Sequence, residues 1–143
     1  MATYQTVTRE DRIDVAPYLA KAHESLRSAT LLRDAGLHAD AASRAHQACI
    51  HCARALLTTE KRMPPDVRGV QRMAANHFLQ GRDFAPEHLA AVERLAALRS
   101  RADDLPAGIV PAGDAADAVS LAAAFVAAAE AWLSAGGFLG AAR

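Results

Sequence analysis

Alanine is the residue that most constrains the fold of this chain, because it occupies 36 of the 143 positions. The β-branched residues are few by comparison, with 8 Val, 3 Ile and 6 Thr. Alanine loses no side-chain entropy in a helix, whereas β-branched side chains lose rotamer freedom there. Hydrophobic residues make up 52% of the chain, which is enough to build a core. The composition therefore predicts an all-α fold and excludes both mostly-β and disordered chains.

Proline, glycine and capping residues divide the sequence into five helical segments separated by short links. Short links favour antiparallel neighbours, so we expect a single antiparallel bundle of four to five helices over residues 14–135. Residues 1–13 then form a polar lead-in and residues 136–143 a C-terminal tail. The expected helices run from Asp14 to Gly36, from Asp40 to about Glu60, from an Asp66 cap through Phe78, from Pro86 to just before Pro106, and from Asp114 to Ser134.

The charge balance excludes one class of protein and says little about others. Sixteen basic and sixteen acidic residues cancel, so the chain is not a strongly basic nucleic-acid protein held by bulk electrostatics. Fourteen of the basic residues are Arg, which suits bidentate phosphate contacts. We see no apolar stretch of signal-peptide type at the N-terminus, and the most apolar run, 118–129, is shorter than a membrane span. We therefore expect a cytoplasmic protein that makes no membrane contact.

Cys49 and Cys52 form a C-x-x-C pair inside the expected second helix, with His46 one turn earlier. Such a pair can bind a metal or cycle between redox states, but no second ligand pair follows it in the sequence. At 100° per residue the three side chains lie about 60° apart successively, so they offer one edge of a coordination shell. We expect buried thiols, no metal and no cofactor.

The second helix has an apolar arc of about 200°, which is wider than a surface helix needs. This width predicts that the helix runs through the centre of the bundle or of a dimer. Its remaining face is a narrow polar strip formed by Ser43, Arg44, Gln47, His51 and Arg54. Charges on a largely buried helix need partners. Either acidic groups of a neighbouring helix pair with the polar strip, or the strip lines a cleft for an anion such as phosphate.

Four segments, in order along the chain, resemble the pattern of HEPN domains. The run S-R-A-H-Q-A-C-I-H-C-A-R-A-L-L at 43–57 resembles S-R-A-Y-Y-A-x-F-H-A-A-R-A-L-L in the second helix of a small bacterial branch. Three further segments resemble other parts of the family pattern. They are the first hairpin from Tyr18, the third-helix run D-V-R-G-V-Q-R-M-A-A-N-H-F-L at 66–79, and the run L-A-A-L-R-S-R-A-D-D at 95–104, at the end of the fourth helix. The resemblance covers about residues 16–135. It implies a dimeric bundle of four to five helices.

Active HEPN proteins are metal-independent ribonucleases that carry Arg, four to six residues, and then His near the end of the fourth helix. Here Arg99 takes the place of that arginine, no His follows it, and Asp103 stands in the place of the imidazole. Other Arg…His pairs with suitable spacing, such as Arg44 to His51, are near chance in number and lie elsewhere. The chain also has His46-Gln47 where the bacterial branch has Tyr-Tyr. The resemblance thus implies a HEPN bundle that lacks the standard ribonuclease site.

Three functions are compatible with these observations. The favoured one is a dimeric HEPN-type binding or regulatory subunit, which pairs with a small nucleotidyltransferase in a toxin–antitoxin-type system or holds RNA or nucleotide without cutting it. The second is a ribonuclease toxin with a shifted site, in which His51 is the base and Arg44, Arg54 or Arg99 holds the phosphate. The third is a helical protein-interaction module with no nucleic-acid role. An enzyme is thus the less favoured reading.

The resemblance also predicts where a ligand would bind. We expect the polar strip of the second helix to approach the end of the fourth helix near the dimer axis. Asp103 should pair with one arginine and leave the others available to an anion, so that RNA phosphate or a nucleotide is bound without efficient cleavage. The candidate catalytic residues are His51, Arg54 and Arg99, and the candidate phosphate-binding residues are Arg44, His51, Arg54, Arg99, Arg101 and Asp103.

Overall fold

A computed structural model describes residues 9–81, 83–104 and 109–139 of the chain, and the described part contains helices and no strand. This confirms the predicted all-α bundle. A three-residue connection joins the first two helices, which form the most extensive pair. The helices are α1 (Arg9–Asp34), α2 (His38–Thr58), α3 (Val67–Ala74), which continues into a π-helical turn (Ala75–Leu79), α4 (Pro86–Asp104) and α5 (Ala112–Ala135).

Helix α2 lies at the centre of the bundle and contacts α1, α3, α4 and α5. Its alanines at 41, 45, 48 and 55 are fully buried, and small side chains let neighbouring helices approach closely. Leu56 and Leu57 at its C-terminal end are also fully buried, and each contributes about 1.5–3 kcal/mol of transfer free energy. The wide apolar arc is therefore covered within one chain. It supplies no argument for a second copy, and the homodimer stays a prediction.

Local signals set most helix boundaries as expected. The Asp66 carboxylate accepts a hydrogen bond of 2.6 Å from the Gly69 N–H and caps α3, and α4 begins at Pro86. The expected third helix changes character at Ala75, where one π-helical turn begins. Phe78 and Leu79 of this turn are both buried in the core.

The expected start of the bundle at residue 14 is too late for its first helix. Helix α1 begins at Arg9, so residues 9–13 are helical rather than part of a lead-in, and Pro17 lies inside the helix instead of in its first turn. Proline removes one helical hydrogen bond, but the helix tolerates it within this long segment. The rest of the predicted lead-in, 1–8, and the last part of the predicted tail, 140–143, lie outside the described residues.

Helix α5 is longer than the apolar run noted in the sequence, and by length and composition alone it would suffice to cross a membrane. A core helix passes the same test. Phe125, Val126 and Leu133 of α5 are buried in the bundle, and Glu130 pairs with His23 of α1 at 2.6 Å. These contacts make α5 part of the core of the bundle, and the absence of membrane contact stays a prediction.

Candidate functional site

A polar cavity of about 490 Å³ lies where the start of α3 and the second half of α4 meet α2. The Asp66 cap fixes the first turn of α3, and this places the α3 side chains opposite α4. We call it the α2–α3–α4 cavity. Its lining residues are His46, Asp66, Val67, Arg68, Gln71, Ala96, Arg99 and Ser100.

His46 supplies the imidazole of this cavity. The side chain is only 3% exposed, and its Nε2 lies 3.2 Å from Oε1 of Gln71 on α3. Since an amide oxygen only accepts, the hydrogen bond assigns the proton to Nε2 and leaves Nδ1 as an acceptor. Burial lowers the pKa of His46, the hydrogen bond to Gln71 acts in the opposite direction, and the Arg99 guanidinium lowers the pKa further. The imidazole is therefore neutral at pH 7.

Arg99 and Asp103 form an ion pair one turn apart on α4, with 3.2 Å between Nε and Oδ2. The Ser43 hydroxyl of α2 lies 3.2 Å from both oxygens of the same carboxylate and donates to it. Asp103 thus links α2 to the end of α4 and orients the guanidinium. The predicted pairing of Asp103 with an arginine is confirmed.

Arg68 is the second cation of the α2–α3–α4 cavity. It is exposed on the first turn of α3 and forms no ion pair with any residue that the structure describes. The nearby Asp66 carboxylate is occupied by the Gly69 N–H. The cavity therefore presents two guanidinium groups, of which Arg99 has a partner and Arg68 has none among the described residues.

His51 lies on a different side of α2. At 100° per residue, five residues place it about 140° around the helix from His46. Burial lowers the pKa of His51, and the nearby charges that also act on its pKa are Arg54, Lys21 and Glu24, the last two on α1. His51 is 7% exposed, and its Nδ1 has no hydrogen-bond partner among the described residues. The structure therefore does not bring His51 and Arg99 into one cleft.

The other candidate arginines are also separate from the α2–α3–α4 cavity. Arg54 is half-buried beside His51. Arg44 is exposed, donates from Nη1 to Oε1 of Gln47 at 2.8 Å, and lines another cavity with Asp40. Arg101 is exposed near the end of α4 and makes no ion pair within the described ranges. Of the polar strip, Ser43 is the residue bonded to α4.

Sequence reasoning missed the cavity residues His46, Arg68 and Gln71 as a group. His46 drew attention only as a metal ligand and as a departure from the family's Tyr-Tyr. Helical spacing places His46 on the same face of α2 as Ser43. That this face meets α4 is shown only by the contact of Ser43 with Asp103 in the structure.

The histidine and the two thiols do not fit a metal centre. His46 is engaged by Gln71, and burial raises the pKa of Cys49 well above its ordinary value. Burial, reinforced by the Glu130 carboxylate, raises the pKa of Cys52 to about 12. Both thiols are therefore protonated at pH 7 in the metal-free protein. Within the described residues, no three His, Cys, Asp or Glu side chains are grouped so that they could hold an ion.

Comparison with known families gives one match. The family model of the HEPN domain matches residues 15–132, which include most of α1, all of α2 to α4 and most of α5. The match contains every residue of the α2–α3–α4 cavity. No curated protein matches the sequence. The resemblance found in the sequence is thereby confirmed at the level of the family.

Proposed function

The chain belongs to the HEPN-domain family, and we propose that it binds RNA or nucleotide phosphate without cutting it, as a partner subunit in a toxin–antitoxin-type system. One observation carries this proposal. The α2–α3–α4 cavity holds Arg68 and Arg99, while Asp103 stands where the ribonucleases of the family have a histidine. The cavity thus has the groups that bind a phosphate and lacks the group that follows the fourth-helix arginine in active members.

The two arginines suit a phosphodiester. A guanidinium binds two phosphate oxygens through parallel N–H donors, and it keeps its charge at any physiological pH. Arg99 is held in place by Asp103, so little side-chain entropy is lost when a phosphate binds to its remaining donors. Arg68 brings a charge that no described residue neutralises. The neutral His46 adds a hydrogen-bonding group without adding charge.

Asp103 explains why binding is not followed by cleavage. Ribonucleases without a metal need a group that takes the 2′-hydroxyl proton and a group that stabilises charge on the phosphate. A carboxylate is a poorer proton shuttle than an imidazole near neutral pH. Asp103 also repels the phosphate and holds Arg99 at 3.2 Å.

Fluorescence anisotropy with a labelled single-stranded RNA tests the binding. Each of Arg68→Ala and Arg99→Ala should weaken binding about tenfold, which corresponds to one charge-assisted hydrogen bond. Arg27→Ala is the matched control, since Arg27 is an exposed arginine of α1 that lines no described cavity. Equal losses in all three variants would mean that bulk charge and not the cavity binds RNA. Absence of binding at low salt would refute the proposal.

One observation favours a second function, a metal-independent ribonuclease. His46 is a buried neutral imidazole in the same cavity as Arg99, and a neutral imidazole can accept the 2′-hydroxyl proton. The shifted site would then use His46, since His51 lies beside α1. RNA cleavage in EDTA that is abolished by His46→Gln and retained by His51→Gln would select this function. An intact RNA after long incubation with the wild-type protein would exclude it.

The family resemblance favours a small nucleotidyltransferase as the partner of this chain. Coexpression with a nucleotidyltransferase encoded beside it should yield a complex that co-elutes in size-exclusion chromatography. Arg99→Ala should weaken this association or the fold more than it changes any cleavage rate. Separate elution of the two proteins at micromolar concentration would contradict the partnership and leave the RNA measurement above as an independent test.

A further inference from the structure

Three helices of the described part are followed by the same backbone motif, in which a residue two or three positions beyond the last helical residue has a positive φ. Gly36 after α1 and Gly137 after α5 have φ values of 80° and 81°, and the corresponding residue after α2 is Lys61, with φ 57°. In this motif the Lys61 N–H bonds to the Thr58 carbonyl at 3.0 Å, and the Arg62 N–H bonds to the Leu57 carbonyl at 3.2 Å. Two of the three ends therefore use glycine where α2 uses a lysine.

Lysine is a disfavoured residue for this backbone conformation. Glycine adopts it without steric cost, whereas a Cβ crowds the neighbouring carbonyl. Asn and Asp offset part of that cost through short local hydrogen bonds, which a lysine side chain cannot make. Lys61 is exposed and forms no ion pair with any residue the structure describes. No described ion pair of Lys61 accounts for this choice of residue, so its ammonium group is available to a ligand.

Lys61 lines a cavity of about 580 Å³. This helix-end cavity lies between the N-terminal half of α1 and the end of α2 with the loop that follows it. It shares no residue with the α2–α3–α4 cavity. Its lining residues are Asp14, Pro17, Tyr18, Lys21, Thr58, Lys61, Arg62 and Met63.

The helix-end cavity combines an apolar wall with a cationic rim. Tyr18 is half-buried on the wall, and Met63 exposes 44% of its surface there. Lys21 and Lys61 form no ion pair with a described residue. Arg62 lies 3.9 Å from Glu60, whose carboxylate is also bonded to His77 at 2.7 Å. Among the described lining residues three cations accompany one carboxylate, Asp14, and Glu60 outside the lining partly neutralises Arg62.

We propose that the helix-end cavity binds a small organic anion that consists of a planar aromatic ring carrying a phosphate. The apolar wall with Tyr18 takes the ring by offset stacking, and Lys21, Lys61 and Arg62 bind the phosphate. Lys21 and Lys61 have no described ion-pair partner, so the rim keeps a net positive charge that suits a phosphate monoester. The volume is that of a pocket for a small molecule. An inorganic anion would leave the apolar wall in water.

Titration of the full-length protein with phenyl phosphate, followed by amide chemical shifts, tests the site. Inorganic phosphate and phenol serve as probes of the charge alone and of the ring alone. Lys61→Gly should weaken phenyl phosphate binding about tenfold, while the melting temperature stays the same or rises because glycine suits this φ. Lys61→Arg should retain most of the affinity, since it keeps the charge. Tyr18→Leu should weaken phenyl phosphate binding and leave that of inorganic phosphate unchanged.

Three results would overturn the proposal. One is a Lys61→Gly protein that binds phenyl phosphate as tightly as the wild type. Another is an affinity for inorganic phosphate equal to that for phenyl phosphate, which would indicate an unspecific cationic surface. The third is the absence of any binding at millimolar phenyl phosphate. None of these results bears on the RNA measurement with Arg68 and Arg99, because the two cavities have no residue in common.

Discussion

Mild acid should destabilise this protein through His46, and the effect can be isolated by replacing that residue. Burial lowers the pKa of His46 in the folded chain below the ordinary 6.5. As the pH falls through 6.5, the unfolded chain takes up a proton at this position while the folded chain does not. The unfolded state then binds more protons, so the free energy of unfolding falls with the pH. Above pH 7 both states are neutral at His46, and it contributes no pH dependence.

The size of this effect has an upper limit. Each pH unit below the unfolded pKa costs up to about 1.4 kcal/mol for one histidine that stays neutral in the fold, so at pH 5 the loss reaches at most about 2 kcal/mol. His51 contributes with the same sign, because burial lowers its pKa as well. Both histidines therefore lower the unfolding free energy as the pH falls from 7 to 5.

Urea denaturation at several pH values, compared between the wild type and His46→Gln, measures the contribution of His46. The amide of Gln keeps a donor toward Gln71 and does not titrate. The other histidines, including the pairs His23–Glu130 and His77–Glu60, occur in both proteins and cancel in the difference. The difference in unfolding free energy should therefore change by up to about 2 kcal/mol between pH 7 and pH 5. Parallel pH curves would show that His46 is not held neutral, and both the burial argument and its role as a base would be wrong.

Three further predictions follow from burial and from the family. Phe125→Ala removes a fully buried ring that packs against Phe84 and His88. It should lower the unfolding free energy by about 3–5 kcal/mol in urea denaturation. A loss below about 1 kcal/mol would contradict that packing. Burial raises the pKa of Cys49 and raises that of Cys52 to about 12. Iodoacetamide at pH 8 should therefore label the folded protein at least about a hundredfold more slowly than the urea-unfolded chain, as followed by mass spectrometry. Equal labelling rates would mean that the thiols are accessible. The family resemblance predicts a homodimer, and a monomer at micromolar concentration in light scattering or sedimentation would argue strongly against it.

The local features of the fold were accessible from the sequence. The Asp66 cap, the start of α4 at Pro86 and the turn at Gly36 depend on residues that are neighbours in the chain, and all three appear where they were expected. The apolar arc of α2 predicted its central position for the same reason, since helical periodicity alone determines which residues share a face. The start of α1 was misplaced, because no strong capping or breaking signal marks Arg9.

The candidate site was predicted only in part. The pairing of Asp103 with an arginine is local, because Arg99 lies one turn away on the same helix. The choice between His46 and His51 is not local. Periodicity places the two imidazoles about 140° apart on α2, but it does not say which of them faces α4 and which faces α1. Docking of α3 and α4 decides that His46 joins Arg99 and that His51 lies near Lys21.

By itself, the sequence determined that this chain folds as an all-α bundle around α2, because alanine content, helix period and capping residues act over a few residues at a time. Only the tertiary structure decided which polar groups meet. The α2–α3–α4 cavity joins residues from 46 to 100, and the helix-end cavity joins α1 to Lys61 beyond the end of α2. Such sites depend on how far each helix is rotated when it packs. That rotation results from the burial of all apolar faces at once and is not encoded in any single segment.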